Sequence, residues 1–274
     1  MNDPTAVDAR STWDRQHARM TSDYAGIREQ AEEHVSRAAL ATGFASDPSE
    51  AREFAAEWYE HWIDKAVDEQ CYLAWPEPLR RRHFDVYGLD DLFAAHAAGE
   101  RTLMVGVHLQ AHTLGLVHLD MLGIGLHILV HEQMLPVMGQ YGLRNSTWIT
   151  PGNGFGKRTR SAEAISKIFV TFADIGADGE PIVPMDRRSA ADPPAMRLVA
   201  DFDAVFAWSI QRSGEDGRPR WALTLTRITP TQDGRSLKQW AEDEITSRPR
   251  HWMLWRRLDS DIGKLNLELE WPKS

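Results

Sequence analysis

The sequence predicts an α/β fold in which a mixed central sheet is flanked by helices, with further helices at the N-terminal end of the chain. Two observations favour it. Helical apolar spacing fills the chain before residue 80, and short apolar runs alternate with helical segments after it. With 274 residues, of which 42% are apolar and 26% charged, the chain can bury a sizeable core.

The N-terminal part divides into two predicted segments. Residues 1–22 are polar and mixed in charge, which predicts a mobile segment, and residues 23–79 predict a helical part packed on the core. The apolar spacing of residues 23–42 is typical of one amphipathic helix. A second helix begins with an N-cap, a first-turn proline and a capping-box acid, at Asp47, Pro48 and Glu50.

The remainder, residues 80–274, predicts one α/β core. Apolar runs of strand length lie at residues 102–107, 126–130, 181–185, 204–208 and 221–226. Residues 214–217 carry turn chemistry, so the last two runs are expected to form a hairpin. Helical spacing is found at residues 89–96, 111–121, 160–174 and 237–246.

Polar side chains follow several of these predicted strands. His108 comes directly after the first apolar run, and His131 and Glu132 come after the second. Because sites in open α/β sheets lie at the carboxyl ends of strands, these side chains are the first candidates for a site. Asp186, Arg187 and Arg188 follow the run at residues 181–185 in the same way.

His112 lies four residues after His108, so on a helix the two imidazoles would share a face. Such a pair can bind a metal, but the sequence has neither a His-Glu-x-x-His pattern nor an obvious third ligand. We therefore predict no metal and no cofactor, and assign His112 to substrate binding.

Charge and composition narrow the classes of partner. The net charge of −9 argues against binding to DNA or to an anionic membrane surface. No apolar stretch is long enough for a membrane span, and the start of the sequence has no signal-peptide pattern. The single cysteine, Cys71, excludes a disulfide framework. These features predict a cytoplasmic protein.

Three segments resemble the bacterial lipid A biosynthesis (lauroyl/myristoyl) acyltransferase family. They are Tyr87–Leu92 with Gly99–Leu109, then Ile182–Asp186, and then Glu244–Arg257. They occur in the family's order and span roughly residues 80 to 258. The resemblance implies a glycerolipid-acyltransferase-like sandwich in which His108 is the general base.

The resemblance also implies roles for other residues. Asp186 matches the acidic position after the family's later strand and is expected in the catalytic set. Arg144 lies where the family tends to carry an arginine near donor or acceptor phosphates. Together with Arg144, we expect His131, Glu132, Arg187 and Arg188 to bind substrate or donor. The arginines suit this role because arginine presents a planar fork that fits phosphate.

The sequence departs from the family at one position that matters. The family places an acid five residues after its histidine to orient the imidazole, and here that residue is Thr113. A hydroxyl can orient a ring nitrogen but supplies no charge. Three explanations are open: another carboxylate, such as Asp120, Glu132 or Asp186, takes the role; the acceptor is a better nucleophile than a sugar hydroxyl; or catalysis has been lost while binding is kept.

The resulting functional hypothesis is an acyltransferase with a small-molecule acceptor in specialised metabolism. The donor would be an acyl or aminoacyl thioester or ester carried on acyl carrier protein, coenzyme A or tRNA. His108, Thr113 and Asp186 are the predicted catalytic residues. The alternative is a catalytically inactive protein of the same fold that binds an acyl group or its carrier.

Overall fold

In a computed structural model of the chain, the described residues are 4–150, 168–175, 181, 194–213, 219–228 and 235–258. These residues confirm the predicted α/β architecture: a seven-stranded mixed sheet with flanking helices and a helical N-terminal part. Asp186, Arg187, Arg188 and most of the predicted strand at 181–185 lie outside the described residues.

Four helices precede the sheet. They are α1 (Pro4–Tyr24), α2 (Arg28–Thr42), α3 (Pro48–Ala74) and α4 (Glu77–Arg82). The start of α3 is as predicted, since the Asp47 carboxylate accepts hydrogen bonds from the backbone N–H groups of Ser49 and Glu50. The reciprocal bond of the predicted capping box is shifted by one residue, because the Glu50 carboxylate accepts from the backbone N–H of Ser46, which precedes the N-cap.

Residues 4–22 of the segment predicted to be mobile, residues 1–22, belong to α1. This helix has tertiary partners on α3. Met20 is buried, and the Trp13 indole N–H donates to Asp68 at 2.8 Å. These contacts are made across the fold, so the polar composition of the segment did not reveal them.

The sheet follows the order β1-β7-β6-β2-β5-β3-β4. Its strands are β1 (Phe84–Tyr87), β2 (Thr102–Gly106), β3 (Leu126–Leu129), β4 (Thr147–Ile149), β5 (Ile168–Phe172), β6 (Ala204–Ser213) and β7 (Arg220–Ile228). β2 to β6 run parallel, while β1 and β7 run the opposite way. The predicted hairpin is confirmed as the antiparallel β6–β7 pair. The carboxyl ends of five strands therefore meet at one edge.

Five further helices are described after β1. They are α5 (Leu89–Ala97), α6 (His112–Met121), α7 (Leu135–Met138), α8 (Pro194–Leu198) and α9 (Arg235–Ser247). No helix among the described residues is both long and apolar enough to cross a bilayer.

The prediction of a helix over residues 160–174 is wrong at residues 168–172, which form β5 in the middle of the sheet. The run Ile-Phe-Val-Thr-Phe is rich in β-branched and aromatic residues, which suit a strand buried on both faces. A short continuous apolar run carries no clear periodicity, so a helical spacing could be read into it.

The core beside the strand edge is dense and aromatic. Trp58, Trp208, Trp221, Trp252 and Trp255 are all at most 1% exposed, so these indoles are core residues. Gly106, the last residue of β2, lies against one of them. A Cβ atom at this position would stand 2.4 Å from Cε2 of Trp208, so only glycine fits at the end of this strand.

Candidate active site

The sheet register brings His108 and Asp174 together. β2 and β5 are parallel neighbours, and Gly106 is the register partner of Phe172. His108 and Asp174 each lie two residues beyond these partners, so both chains leave the sheet at the same level. The backbone N–H of Ala173 donates to the Gly106 carbonyl at 2.8 Å and holds the two exits together.

His108 makes two hydrogen bonds to the Asp174 carboxylate. Its ring Nδ1 lies 2.8 Å from Oδ1, and its backbone N–H donates to Oδ2 at 2.8 Å. The Trp252 indole N–H donates to the same Oδ2 at 2.7 Å. The carboxylate thus receives three donors while its side chain is fully buried, which fixes its plane relative to the imidazole.

The electrostatics of the pair follow from these contacts. Burial opposes ionisation of Asp174, but His108 and the other hydrogen-bond donors outweigh it and hold the pKa of this carboxyl below its usual value. An ionised Asp174 can only accept, so His108 carries a proton on Nδ1. In the neutral imidazole, Nε2 then has a free lone pair.

Nε2 of His108 has no hydrogen-bond partner among the described residues, and the His108 side chain is 14% exposed. The Phe172 ring packs at 4.1 Å from the imidazole, and the His112 ring at 4.6 Å. Burial, the neighbouring His108 and then Lys65 lower the pKa of His112 well below its usual value, so His112 stays neutral. The arrangement provides an oriented imidazole with one nitrogen available as a base.

The loop that carries His108 is held by the C-terminal part of the chain. The backbone N–H of Met253 donates to the His108 carbonyl at 2.8 Å, and the N–H of Gln110 donates to the His251 carbonyl at 2.9 Å. Gln110 has a φ of 46°, in the left-handed region that non-glycine residues rarely adopt. Such strain persists where the surroundings over-determine the backbone, as they do here.

The Gln110 side chain also has fixed partners. Its carbonyl oxygen accepts from the backbone N–H of Arg212 at 2.8 Å, so its amide nitrogen donates to Nδ1 of His251 at 3.1 Å. His251 in turn lies 3.0 Å from His61, with the two Nε2 atoms facing each other. Burial and the neighbouring His61 lower the pKa of His251 to about 4, so this ring stays neutral and donates from Nε2.

A polar pocket of about 230 Å³ lies on the α3 side of this loop. Its lining includes Asp64 and Lys65 of α3, Gln110, Arg212 and His251. His108 is not among its lining residues, so this pocket is separate from the open nitrogen of the imidazole.

The residues considered as partners of His108 are placed elsewhere. The Thr113 side chain is buried, and its hydroxyl interacts with the hydroxyl of Tyr141. The Asp120 carboxylate accepts from the backbone N–H groups of Arg144 and Asn145, both at 2.8 Å, so it joins the end of α6 to the loop before β4. Glu132 is exposed in a short 3₁₀ turn. The carboxylate that binds the His108 ring belongs to Asp174, which the sequence analysis did not predict.

The predicted binding residues divide into two groups. His112 lies beside His108, as expected from their spacing. The side chains of His131 and Arg144 are exposed, and no contact of either with His108 is found in the described part of the chain. Within that part, no group of three or more His, Cys, Asp or Glu side chains is arranged to hold a metal ion.

Two residues of the site, Asp174 and Trp252, were not predicted as such. Asp174 follows an apolar run, as His108 does, and a strand prediction for residues 168–172 would have placed it at the same edge. Trp252 belongs to the Trp- and Arg-rich segment that follows α9, but nothing in its local sequence indicates a carboxylate partner.

No protein-family model matches the chain, and no match is found among the curated proteins.

Proposed function

We propose that the chain is an acyltransferase in which His108, oriented by Asp174, is the general base. The observation that carries the proposal is the buried carboxylate bound to Nδ1 of His108 while Nε2 has no partner among the described residues. A histidine with a proton on Nδ1 and a lone pair on Nε2 is suited to take a proton from a hydroxyl or amine. The resemblance of residues 80–258 to the lipid A acyltransferases supports transfer to that acceptor from an acyl donor.

In the proposed reaction, the acceptor O–H or N–H gives its proton to Nε2 of His108 as the oxygen or nitrogen attacks the donor carbonyl carbon. A new C–O or C–N bond forms. The C–S bond of a thioester donor, or the C–O bond of an ester donor, then breaks. The imidazolium returns its proton to the departing thiolate or alkoxide, so the base is regenerated. Asp174 remains ionised and stabilises the imidazolium in between.

A small-molecule acceptor remains part of the proposal. It is supported by the net charge of −9, which disfavours attraction to an anionic lipid surface. The donor classes are acyl carrier protein, coenzyme A and aminoacyl-tRNA, and the proposed place of action is the cytoplasm. The alternative of a binding protein without catalysis was motivated by Thr113, and a carboxylate on His108 removes that motive.

The test is to compare His108→Ala with Thr113→Val. Acyl-coenzyme A thioesters, acylated carrier protein and aminoacyl-tRNA are offered with ethanolamine and a panel of small alcohols, and acylated product is measured by mass spectrometry. We expect H108A to lose about 10³-fold in turnover, since general-base assistance contributes 10²- to 10⁴-fold.

T113V is the matched control, because it removes the buried hydroxyl five residues after His108, which interacts with Tyr141 and not with the imidazole. It should keep turnover within about three-fold and lose only about 1 kcal/mol of stability, the contribution of one hydrogen bond. Undiminished transfer by folded H108A would refute the mechanism.

A further inference from the structure

The Trp252 indole is placed to control the orientation of the proposed catalytic pair. Asp174 is reached by side-chain donors from two distant parts of the chain, His108 on one side and Trp252 on the other. The bond from Trp252 is the shortest of the three to the carboxylate, at 2.7 Å, and both residues are at most 1% exposed. Water is therefore excluded from competing for Oδ2.

A carboxylate with a single ring partner can rotate about its Cβ–Cγ bond. Here Oδ2 receives the Trp252 N–H and the backbone N–H of His108, which leaves Oδ1 facing Nδ1 of the ring. The Trp252 donor thus acts on His108 through Asp174, without contact to the reacting nitrogen. Losing it would leave a buried charge with one donor fewer and its plane less defined.

Trp252 is itself anchored from several sides. Its carbonyl accepts from the Trp58 indole N–H of α3 at 3.0 Å, and its ring packs edge-on against Trp255 at 5.2 Å. Its backbone pairs with Leu109, and the next residue, Met253, donates to the His108 carbonyl. The indole is therefore held relative to the same loop that carries the imidazole, which is what a positioning group requires.

We propose that Trp252 is a positioning residue, whose indole N–H holds the Asp174 carboxylate in the plane that keeps the proton on Nδ1 of His108 and the lone pair on Nε2. This deepens the proposed function and rests on it for its catalytic meaning. The geometric part concerns only the protonation of one ring, so it can be tested without knowing the substrate.

The test uses the full chain with ¹⁵N-labelled histidine, in which NMR reports the Nδ1 proton and the tautomer of His108. Trp252→Phe removes the N–H and keeps most of the apolar ring. Trp255→Phe is the matched control, because it removes a neighbouring indole N–H that donates at 2.7 Å to the Pro249 carbonyl instead of a carboxylate.

We expect W252F to exchange the Nδ1 proton with water at least ten-fold faster and to populate the Nε2–H tautomer, whereas W255F keeps the wild-type signals. If W252F fails to fold, Trp252→benzothienylalanine replaces the N–H by sulfur at nearly unchanged shape. Wild-type signals in the folded Trp252 variant would overturn the proposal. Equal changes in the variants of Trp252 and Trp255 would also overturn it, because they would indicate general loosening.

The catalytic consequence is a second readout. With any donor and acceptor that the wild-type chain turns over, W252F should lower kcat about ten-fold while KM changes less than two-fold, since the indole is buried behind the carboxylate. A rise in KM alone would contradict a positioning role. If no donor is turned over, the proposed function fails, but the NMR result still decides whether Trp252 orients the pair.

Discussion

Two buried carboxylates in this protein, Asp174 and Asp68, have similar hydrogen-bond donors but different pKa values. Each is about 1% exposed and accepts indole N–H bonds. Asp174 receives one indole, Trp252, together with the ring and backbone N–H of His108. Asp68 receives two indoles and the guanidinium of an arginine, from Trp13, Trp221 and Arg212.

Their pKa values move in opposite directions. Burial raises the pKa of Asp68 to about 6, opposed by Arg212 and aided by the nearby carboxylate of Asp64. Burial also acts on Asp174, but His108 and the other donors lower its pKa below the usual value. An arginine does not give up its proton, so Asp68 joins α1, α3, β6 and β7 as a structural group. The partner of Asp174 is an imidazole that can exchange a proton.

The contrast teaches that burial and hydrogen-bond count do not by themselves identify a site. The deciding feature is a partner that can both hold and release a proton at the strand edge. This difference between Asp174 and Asp68 can be tested by substitution of each carboxylate.

The largest difference should appear in turnover. Asp174→Asn removes the charge that stabilises the imidazolium and disturbs the Nδ1–H tautomer, so turnover per folded molecule should fall about 10³-fold. Asp68→Asn should change turnover less than three-fold. The measurement is the acyl-transfer assay, corrected for the folded fraction by circular dichroism. Comparable losses in the two variants would show that Asp174 has no special role.

The second expected effect is a loss of unfolding free energy when Asp68 is replaced. Asp68→Asn places an amide NH₂ where N–H donors from three other elements converge, so at pH 7 it should cost about 2 kcal/mol of unfolding free energy. Urea denaturation of D68N beside the wild type measures this cost. A neutral or stabilising effect would mean that the ionised carboxylate is not required to join these elements.

The smallest expected effect is a difference in how the stability contributions of Asp68 and Asp174 depend on pH. In the folded chain Asp68 takes up its proton near pH 6, against 3.8 as the usual value for the unfolded chain. The part of the stability that comes from this proton uptake is therefore complete at low pH and is lost as pH rises through about 6. The cost of D68N should be about 1 kcal/mol larger at pH 5 than at pH 7.

Between pH 7 and pH 5, titration of Asp174 itself should contribute no change to the corresponding cost of D174N. The pKa of Asp174 is below the usual value, so its contribution is lost only as pH falls below that range. Urea unfolding of wild type, D68N and D174N at both pH values gives the comparison. A parallel pH dependence of the D68N and D174N costs would contradict the opposite environments described here.

Much of the scaffold could be predicted from local patterns. The N-cap at Asp47, the buried strand before His108 and the β6–β7 hairpin depend on residues close in sequence, and the structure has all three. The helix over residues 4–22 and the strand over residues 168–172 were not predicted. The first is a polar helix that packs on α3, and the second is a short apolar run without a distinct period.

The α/β class and the place of His108 after a buried strand follow from the sequence, because strand patterns and strand ends are local features. Which carboxylate the imidazole meets depends on tertiary contacts. Asp174 is 66 residues from His108 and Trp252 is a further 78 residues on, and they converge because β2 and β5 are neighbours in register and the C-terminal segment packs over their ends. Sheet order and register are set by the packing of the whole chain. The residue five positions after His108, Thr113, therefore gave no information about which carboxylate binds the imidazole.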